Sequence, residues 1–263
     1  MITNVILFQA VLLSLFVTII CVPFGILISR KTELIDYPGS ALHKHHDRPM
    51  PMAGGIALVV ALAISGTFFG VWQTPSVAPT FIAGLVIFAF GLWDDFKDIS
   101  PLLKLVGQLL SIAILMSLGV IIEIFESPDF FIQLPSQLAQ IADIIVTITW
   151  MLGITNAFNF VDSMDGLTIG IFGLVMGFLL LTLASHHSEL AVYCAVLMGI
   201  SMGIYFFNAP PACIFLGDAG AQLIGFLLAA LSIAFIHKNE GQIFSWLSVL
   251  ILLGVPILDM FLV

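Results

Sequence analysis

Four stretches of the sequence carry residue types that could do chemistry, and each lies where an apolar run ends. In Gly91-Leu-Trp-Asp94-Asp95-Phe-Lys97-Asp98, Asp94 and Asp98 are four apart and would share a helical face. Paired carboxylates beside Lys97 could hold a divalent metal, or one could act as a general base. Charges in an interfacial turn are the other reading of the same residues. In Asn156-Ala-Phe-Asn159-Phe-Val-Asp162-Ser-Met-Asp165-Gly166, a polar side chain recurs every third residue. On a helix or tight turn these would form one stripe. The amides of Asn156 and Asn159 could fix a base edge, a sugar hydroxyl or a phosphate oxygen. Asp162 and Asp165 could bind metal or accept a proton, and a capped helix junction would need fewer such residues.

The third stretch is Phe215-Leu216-Gly217-Asp218-Ala219-Gly220. Its glycines permit close backbone approach to a ligand, and a helix starting here would favour an anion. Asp218 could ligate a metal and Phe215 could stack on a base, or Asp218 could simply cap the helix. The fourth is the loop His43-Lys44-His45-His46-Asp47-Arg48-Pro49-Met50-Pro51-Met52-Ala53-Gly54-Gly55. Lys44, His46 and Arg48 could clamp phosphate oxygens. A zinc site lacks a fourth well-spaced ligand, and a basic loop that only orients the chain is the competing reading.

The elements that must position these groups are membrane helices. Hydrophobic residues make up 60% of the 263 and charged residues 9%, with a mean hydropathy of +1.18. A soluble domain carries about a quarter charged residues, so lipid must be the main solvent here. Apolar runs near 4–28, 54–72, 77–93, 101–122, 138–155, 166–185, 190–208, 219–236 and 243–263 predict about nine spans in an all-α polytopic bundle. The chain reads as one domain, 1–263. The first run is too long for a signal-peptide core and reads as a retained span. Cys21, Cys194 and Cys213 lie among apolar neighbours without a pairing pattern and read as small hydrophobes.

If the helices alternate, Arg30, Lys31, Lys44, Arg48, Lys97 and Lys104 fall on one side and only Lys238 on the other. Positive residues mark the cytoplasmic face, so the N-terminus is expected outside. The same alternation sends Asp94, Asp95, Asp98, Asp162, Asp165, Asp218 and Asp259 to the cytoplasmic ends. Carboxylates at membrane depth need compensation and are functional candidates. A carboxylate-rich, metal-loaded site rimmed by cations suits phosphoryl transfer, where two anionic phosphates must be brought together.

On these motifs, in this order, and on Val255-Pro256-Ile257-Leu258-Asp259-Met260 near the end, the chain resembles the polyprenyl-phosphate N-acetylhexosamine-1-phosphate transferases. The likeness runs from the Pro-Met-Pro-Met-Ala-Gly-Gly loop to the end of the chain. Within the family it is greatest to members that act on UDP-GlcNAc and undecaprenyl phosphate in the bacterial inner membrane. The resemblance implies transfer of GlcNAc-1-phosphate to the lipid, with UMP released, as the first step of a cell-surface polysaccharide. It implies Mg²⁺, with Mn²⁺ as a substitute, at Asp218 and Asp162. It implies Asp94, Asp95 and Asp162 as catalytic residues. Lys44, His46, Arg48, Lys97, Asn156, Asn159, Asp165, Gly166 and Phe215 are the expected substrate-binding positions. Membrane lipid is an expected partner, a second copy of the chain is an option, and nucleic acid is not expected.

Ser163 and Ala221 stand where the family has Gly and Ser. Family members also continue into a cytoplasmic His-x-His-His loop and further spans, so a C-terminally truncated core is expected. Another UDP-sugar, such as UDP-MurNAc-pentapeptide or a fucosamine or quinovosamine derivative, is the near alternative. A cation-coupled transporter and an inactive remnant are the distant ones.

Overall fold

The computed structural model describes residues 4–38, 48–126, 134–184 and 189–237, together with Leu253, Gly254 and Leu258. Eight α-helices dominate the described residues: α1 (Asn4–Lys31), α2 (Gly54–Phe68), α3 (Val77–Lys97), α4 (Pro101–Ser117), α5 (Ser136–Val161), α6 (Leu167–Ala184), α7 (Glu189–Asn208) and α8 (Gly217–His237). A two-residue antiparallel ribbon pairs β1 (Ile35–Asp36) with β2 (Met50–Pro51). Six helices, α1, α3, α5, α6, α7 and α8, are long and apolar enough to cross a membrane. The protein is a multi-pass helical membrane protein.

The structure corrects the expectation of about nine spans. Helix α2 has 15 residues and α4 has 17, roughly 22 and 25 Å at 1.5 Å per residue. Both fall short of a hydrocarbon core about 30 Å thick. The apolar run that begins α2 breaks at Phe69, where Gly70 (φ 65) opens a single 3-10 turn, Val71–Gln73. The run that begins α4 leaves the helix through Gly119 (φ 86). The ninth run, 243–263, lies outside the described residues apart from Leu253, Gly254 and Leu258.

Helix α8 is the axis of the bundle. It packs against α2, α3 and α5, and more lightly against α6. Its side chains are buried on every side, among them Leu223, Ile224, Phe226, Leu227 and Leu231, as expected for a helix apolar all round. Helix α7 sits between α1, α2 and α6. Phe8, Phe16 and Phe24 of α1 and Leu174 and Leu181 of α6 face outward, a surface suited to lipid. Two glycines let the backbones meet α8 closely. A Cβ on Gly91 of α3 would lie 2.6 Å from Ala219 Cα, and one on Gly55 of α2 would lie 2.7 Å from the Gly220 amide.

The connection from α4 to α5 folds back onto α5. Asp143 is buried inside the bundle. Its Oδ1 accepts from the amides of Ile124 (2.9 Å) and Phe125 (3.0 Å), and its Oδ2 from Glu126 (3.2 Å). Thr147 Oγ1 accepts from Ile122 N at 3.0 Å. A return segment with unpaired amides would be costly at this depth, and these two side chains supply the acceptors.

Candidate active site

The C-terminal ends of α3 and α5 and the N-terminal end of α8 converge at one end of the bundle. They enclose a basin of about 640 Å³, within the range of small-molecule sites. Its lining includes Asp94, Asp95, Asn159, Asp162, Asp165, Phe215 and Asp218. Asp36 of β1 and Asn208 at the end of α7 also line it.

Asp94 and Asp95 occupy the last turn of α3, where the helix dipole disfavours negative charge. Each is compensated from a neighbouring helix. Lys104, in the first turn of α4, lies with Nζ 2.5 Å from Asp94 Oδ2 and 2.7 Å from Asp218 Oδ2. Asp94 Oδ1 also accepts from the Ile99 amide at 2.9 Å. Asp95 turns to the start of α8: its Oδ1 accepts from Asp218 N (2.7 Å) and its Oδ2 from Ala219 N (3.1 Å). It therefore caps another helix, meeting amides that a helix N-terminus leaves unpaired. Gly217 adopts φ +70, and a Cβ there would sit 2.6 Å from Asp95 Oδ2. Only glycine suits both the left-handed backbone and the adjacent carboxylate.

The expected polar stripe splits at the end of α5. Asn159 faces the basin from the last turn of the helix. Asp162 is the C-cap and is half-buried. Burial pushes its carboxyl up to about 7, and the charges of Asp218 and Asp165 act in the same direction. Asp165 follows in the turn, and Gly166 (φ 75) starts the chain into α6. Asn156 does not line the basin. Its Nδ2 donates to Gln108 Oε1 (3.0 Å) and to Leu152 O (2.8 Å).

The segment that carries Phe215 is fastened on several sides. Ala212 N donates to Asp165 Oδ2 at 3.3 Å, while Arg48 Nη2 donates to Ala212 O at 2.9 Å. Asn208 accepts from Gly166 N at 3.2 Å and donates to Ile214 O at 2.9 Å. Phe215 N donates to Pro51 O, and Gly54 N donates to Phe215 O, both at 3.0 Å. The Pro-Met-Pro-Met-Ala-Gly-Gly loop is thus paired to the start of α8, though the two lie far apart in sequence.

Of the positions expected from sequence, Asp94, Asp95, Asn159, Asp162, Asp165, Phe215 and Asp218 meet in the basin. Gly166 is buried and donates to Asn208, Arg48 donates to the Ala212 carbonyl, and Lys97 is exposed outside the lining. Lys44 and His46 lie outside the described residues. Sequence reasoning missed Asp36, Gln108, Asn208 and Gln222, and took Lys104 only as a marker of sidedness. The available signal was spacing: Lys104 and Gln108, and Asp218 and Gln222, are each polar pairs four apart at the start of an apolar run.

Hard oxygen donors are what Mg²⁺ prefers, and it is commonly held by one or two carboxylates plus phosphate oxygens. Asp218 and Asp162 supply such donors on one basin. No group of three or more His, Cys, Asp or Glu able to hold a metal occurs among the described residues. The donor set of Asp218 and Asp162 fits the oxygen chemistry that Mg²⁺ would require.

Comparison with known proteins places these features in a family. Residues 77–236 match the model of "Glycosyl transferase family 4". The chain is 29% identical over 251 residues to a "Probable undecaprenyl-phosphate N-acetylglucosaminyl 1-phosphate transferase" of Bacillus subtilis, covering 95% of this chain and 68% of that one. It is 30% identical over 235 residues to the "Undecaprenyl-phosphate alpha-N-acetylglucosaminyl 1-phosphate transferase" of Thermotoga maritima, covering 88% and 65%. A "Phospho-N-acetylmuramoyl-pentapeptide-transferase" of Lacticaseibacillus paracasei is 26% identical over 201 residues, covering 72% and 62%. The chain spans about two thirds or less of the length of most of these relatives.

Proposed function

Because the chain belongs to glycosyl transferase family 4, we propose that it transfers GlcNAc-1-phosphate from UDP-GlcNAc to undecaprenyl phosphate. The products are undecaprenyl-diphospho-GlcNAc and UMP, and the lipid product would begin a cell-surface polysaccharide. One observation carries this reading. Carboxylates and a lysine from α3, α4, α5 and α8 converge on one basin at the end of a membrane bundle. A membrane-anchored phosphate and a soluble nucleotide could meet there. A transporter would place such groups near mid-membrane in broken helices, whereas these stand at helix ends.

In the proposed reaction, a lipid phosphate oxygen attacks the β-phosphorus of the nucleotide sugar. The bridging oxygen leaves with UMP. Asp218 and Asp162 would hold Mg²⁺, which when bound screens the charge of the diphosphate. Both Asp95 oxygens are engaged by α8, and both Asp94 oxygens by Lys104 and Ile99. These two therefore hold the frame of the basin. Asp162, whose oxygens no α8 amide or lysine among the described residues engages, could also accept the lipid phosphate's proton through an oxygen that Mg²⁺ leaves free. Asn159, Asp165 and Phe215 face the space the nucleotide would take. A phosphate-binding role for Lys44, His46, Arg48 and Lys97 is proposed on the resemblance alone. The basin end is proposed to face the cytoplasm and the N-terminus the periplasm, since Arg30, Lys31, Arg48, Lys97 and Lys104 gather at the basin end.

The test is release of UMP from UDP-GlcNAc by the purified protein, with and without undecaprenyl phosphate and Mg²⁺. The chain is assayed as it stands and joined to the remaining C-terminal part of the Bacillus relative. Lipid- and Mg²⁺-dependent release by either form supports the reading. Silence from both, with folding confirmed, overturns it. Transfer from UDP-MurNAc-pentapeptide in preference to UDP-GlcNAc would reassign the sugar and keep the chemistry.

A further inference from the structure

Beneath the basin, α4 and α8 face each other through two polar rungs in otherwise apolar surroundings. The upper rung is Lys104 to Asp218. The lower lies one helical turn deeper: Gln108 Nε2 donates to Gln222 Oε1 at 3.1 Å. Gln108 also donates to Asn156 Oδ1 at 3.1 Å and receives Asn156 Nδ2 at 3.0 Å. Gln222 Nε2 then reaches up to Asp218 Oδ2 at 3.5 Å. Gln108 is 4% exposed and Gln222 2%.

Buried amides in a membrane bundle have a simpler explanation, as polar glue between helices. The direction of donation argues for more. Donors pass from Asn156 and Gln108 to Gln222, and the last one ends on Asp218 Oδ2. That is the oxygen Lys104 also holds. Lys104 holds this oxygen at 2.7 Å, and the relay from α5 and α4 through Gln222 adds a second, longer contact to it at 3.5 Å. Glue would need no shared end point on a basin carboxylate.

We propose that Gln108 and Gln222 are positioning residues for the transfer reaction, setting the orientation of Asp218 through this relay without touching substrate. Asn156 belongs to the same relay rather than to the substrate contacts. The inference rests on the transfer reading above and adds to it. Outer partners of a working carboxylate commonly alter activity by about 10–100-fold when removed.

The experiment uses the full chain with Gln108→Met, Gln222→Met and the double substitution, which keep side-chain length but remove the donors. For each, kcat falls about 10–100-fold, and KM for UDP-GlcNAc stays within about threefold. The double variant is no slower than the worse single one, because one relay is broken once. Unchanged kcat in folded variants, or losses that track the unfolded fraction, overturns the proposal. A second cycle needs no activity: melting temperatures of Gln222→Met alone, Asp218→Ala alone, and both. If Gln222 orients Asp218, the cost of Gln222→Met shrinks by at least half once Asp218 is gone. Additive costs overturn the proposal. A silent wild type overturns the transfer reading, and the melting cycle then still decides between positioning of Asp218 and glue.

Discussion

Replacing Lys104 by Met removes the one cation the structure places between Asp94 and Asp218. At 2.5 and 2.7 Å, each attraction is roughly 6 kcal/mol gross at an effective dielectric of about 20. Desolvation of the three groups offsets most of it. Breaking a buried pair typically costs about 3–5 kcal/mol, because a charge is left uncompensated. Lys104 is 31% exposed and Asp218 29%, so water recovers part of the loss and about 2–3 kcal/mol is expected. That is a thermal midpoint lower by roughly 5–10 °C for a chain of this size. If the basin must hold its shape at the transition state, kcat falls by about 30–150-fold. The assay is UMP release alongside a melting curve on the same purified sample. Lys104→Arg separates charge from shape: it keeps most of the midpoint, but its planar fork cannot reproduce a point charge between two carboxylates, so kcat still falls. A Lys104→Met protein melting within about 2 °C of wild type, with kcat within threefold, would refute the reasoning.

Other outcomes follow from the same geometry. Asp162 has a carboxyl near 7, above the ~4 of a free Asp, so the folded state binds the extra proton. Its contribution to stability is full below about pH 4 and is lost as pH rises through about 7. Asp162→Asn should flatten that part of a melting-versus-pH curve recorded without divalent metal. Gly217→Ala adds about 1–2 kcal/mol of left-handed strain and presses a methyl onto Asp95, so activity should fall at least about tenfold. Gly119→Ala, with a similar φ and nothing within 4 Å, should cost stability alone. Asp143→Ala strips the acceptor from three loop amides. It should lower the melting temperature by several degrees yet leave kcat unchanged, since Asp143 lies about 24 Å from Asn159 along α5.

The apolar runs located all eight helices of the described residues because burial in lipid demands long stretches without charge. Their ends were read less well, and for a physical reason. Hydropathy stops α3 at residue 93 and α5 at residue 155, but both helices continue through their polar residues, to Lys97 and Val161. Those polar turns stay helical because Lys104, the α8 amides and Gln108 answer them from other helices. No local pattern reveals such partners. The basin carboxylates at helix ends were legible because they cluster where apolar runs stop, whereas Asp36, in the β1 ribbon, was not. Asp143, Gln108 and Gln222 were not, because one polar residue within an apolar window is averaged away. Asn156 stood out for the same spacing as Asn159, yet it lies one turn deeper and faces Gln108. Spacing along a helix shows which residues share a face, but not how far along that face the solvent-filled basin reaches.

The capping of α8 by Asp95 also bears on the order in which the protein is built. Asp94 and Lys104 belong to adjacent helices, so their ion pair can form as soon as α4 follows α3 into the membrane. Asp95 must wait for the amide of Asp218, 123 residues later. At about 5–20 residues per second of synthesis, that is an interval of roughly 6–25 s. During it, the α3 carboxylate has only headgroup water as a partner. The basin is therefore completed by the arrival of a late helix at the centre of an already inserted ring, and a ribosome stalled before residue 217 would leave a membrane-embedded chain with the charges of Asp36, Asp94, Asp95, Lys104, Asp162 and Asp165 in place and Asp218 and the α8 amides still missing.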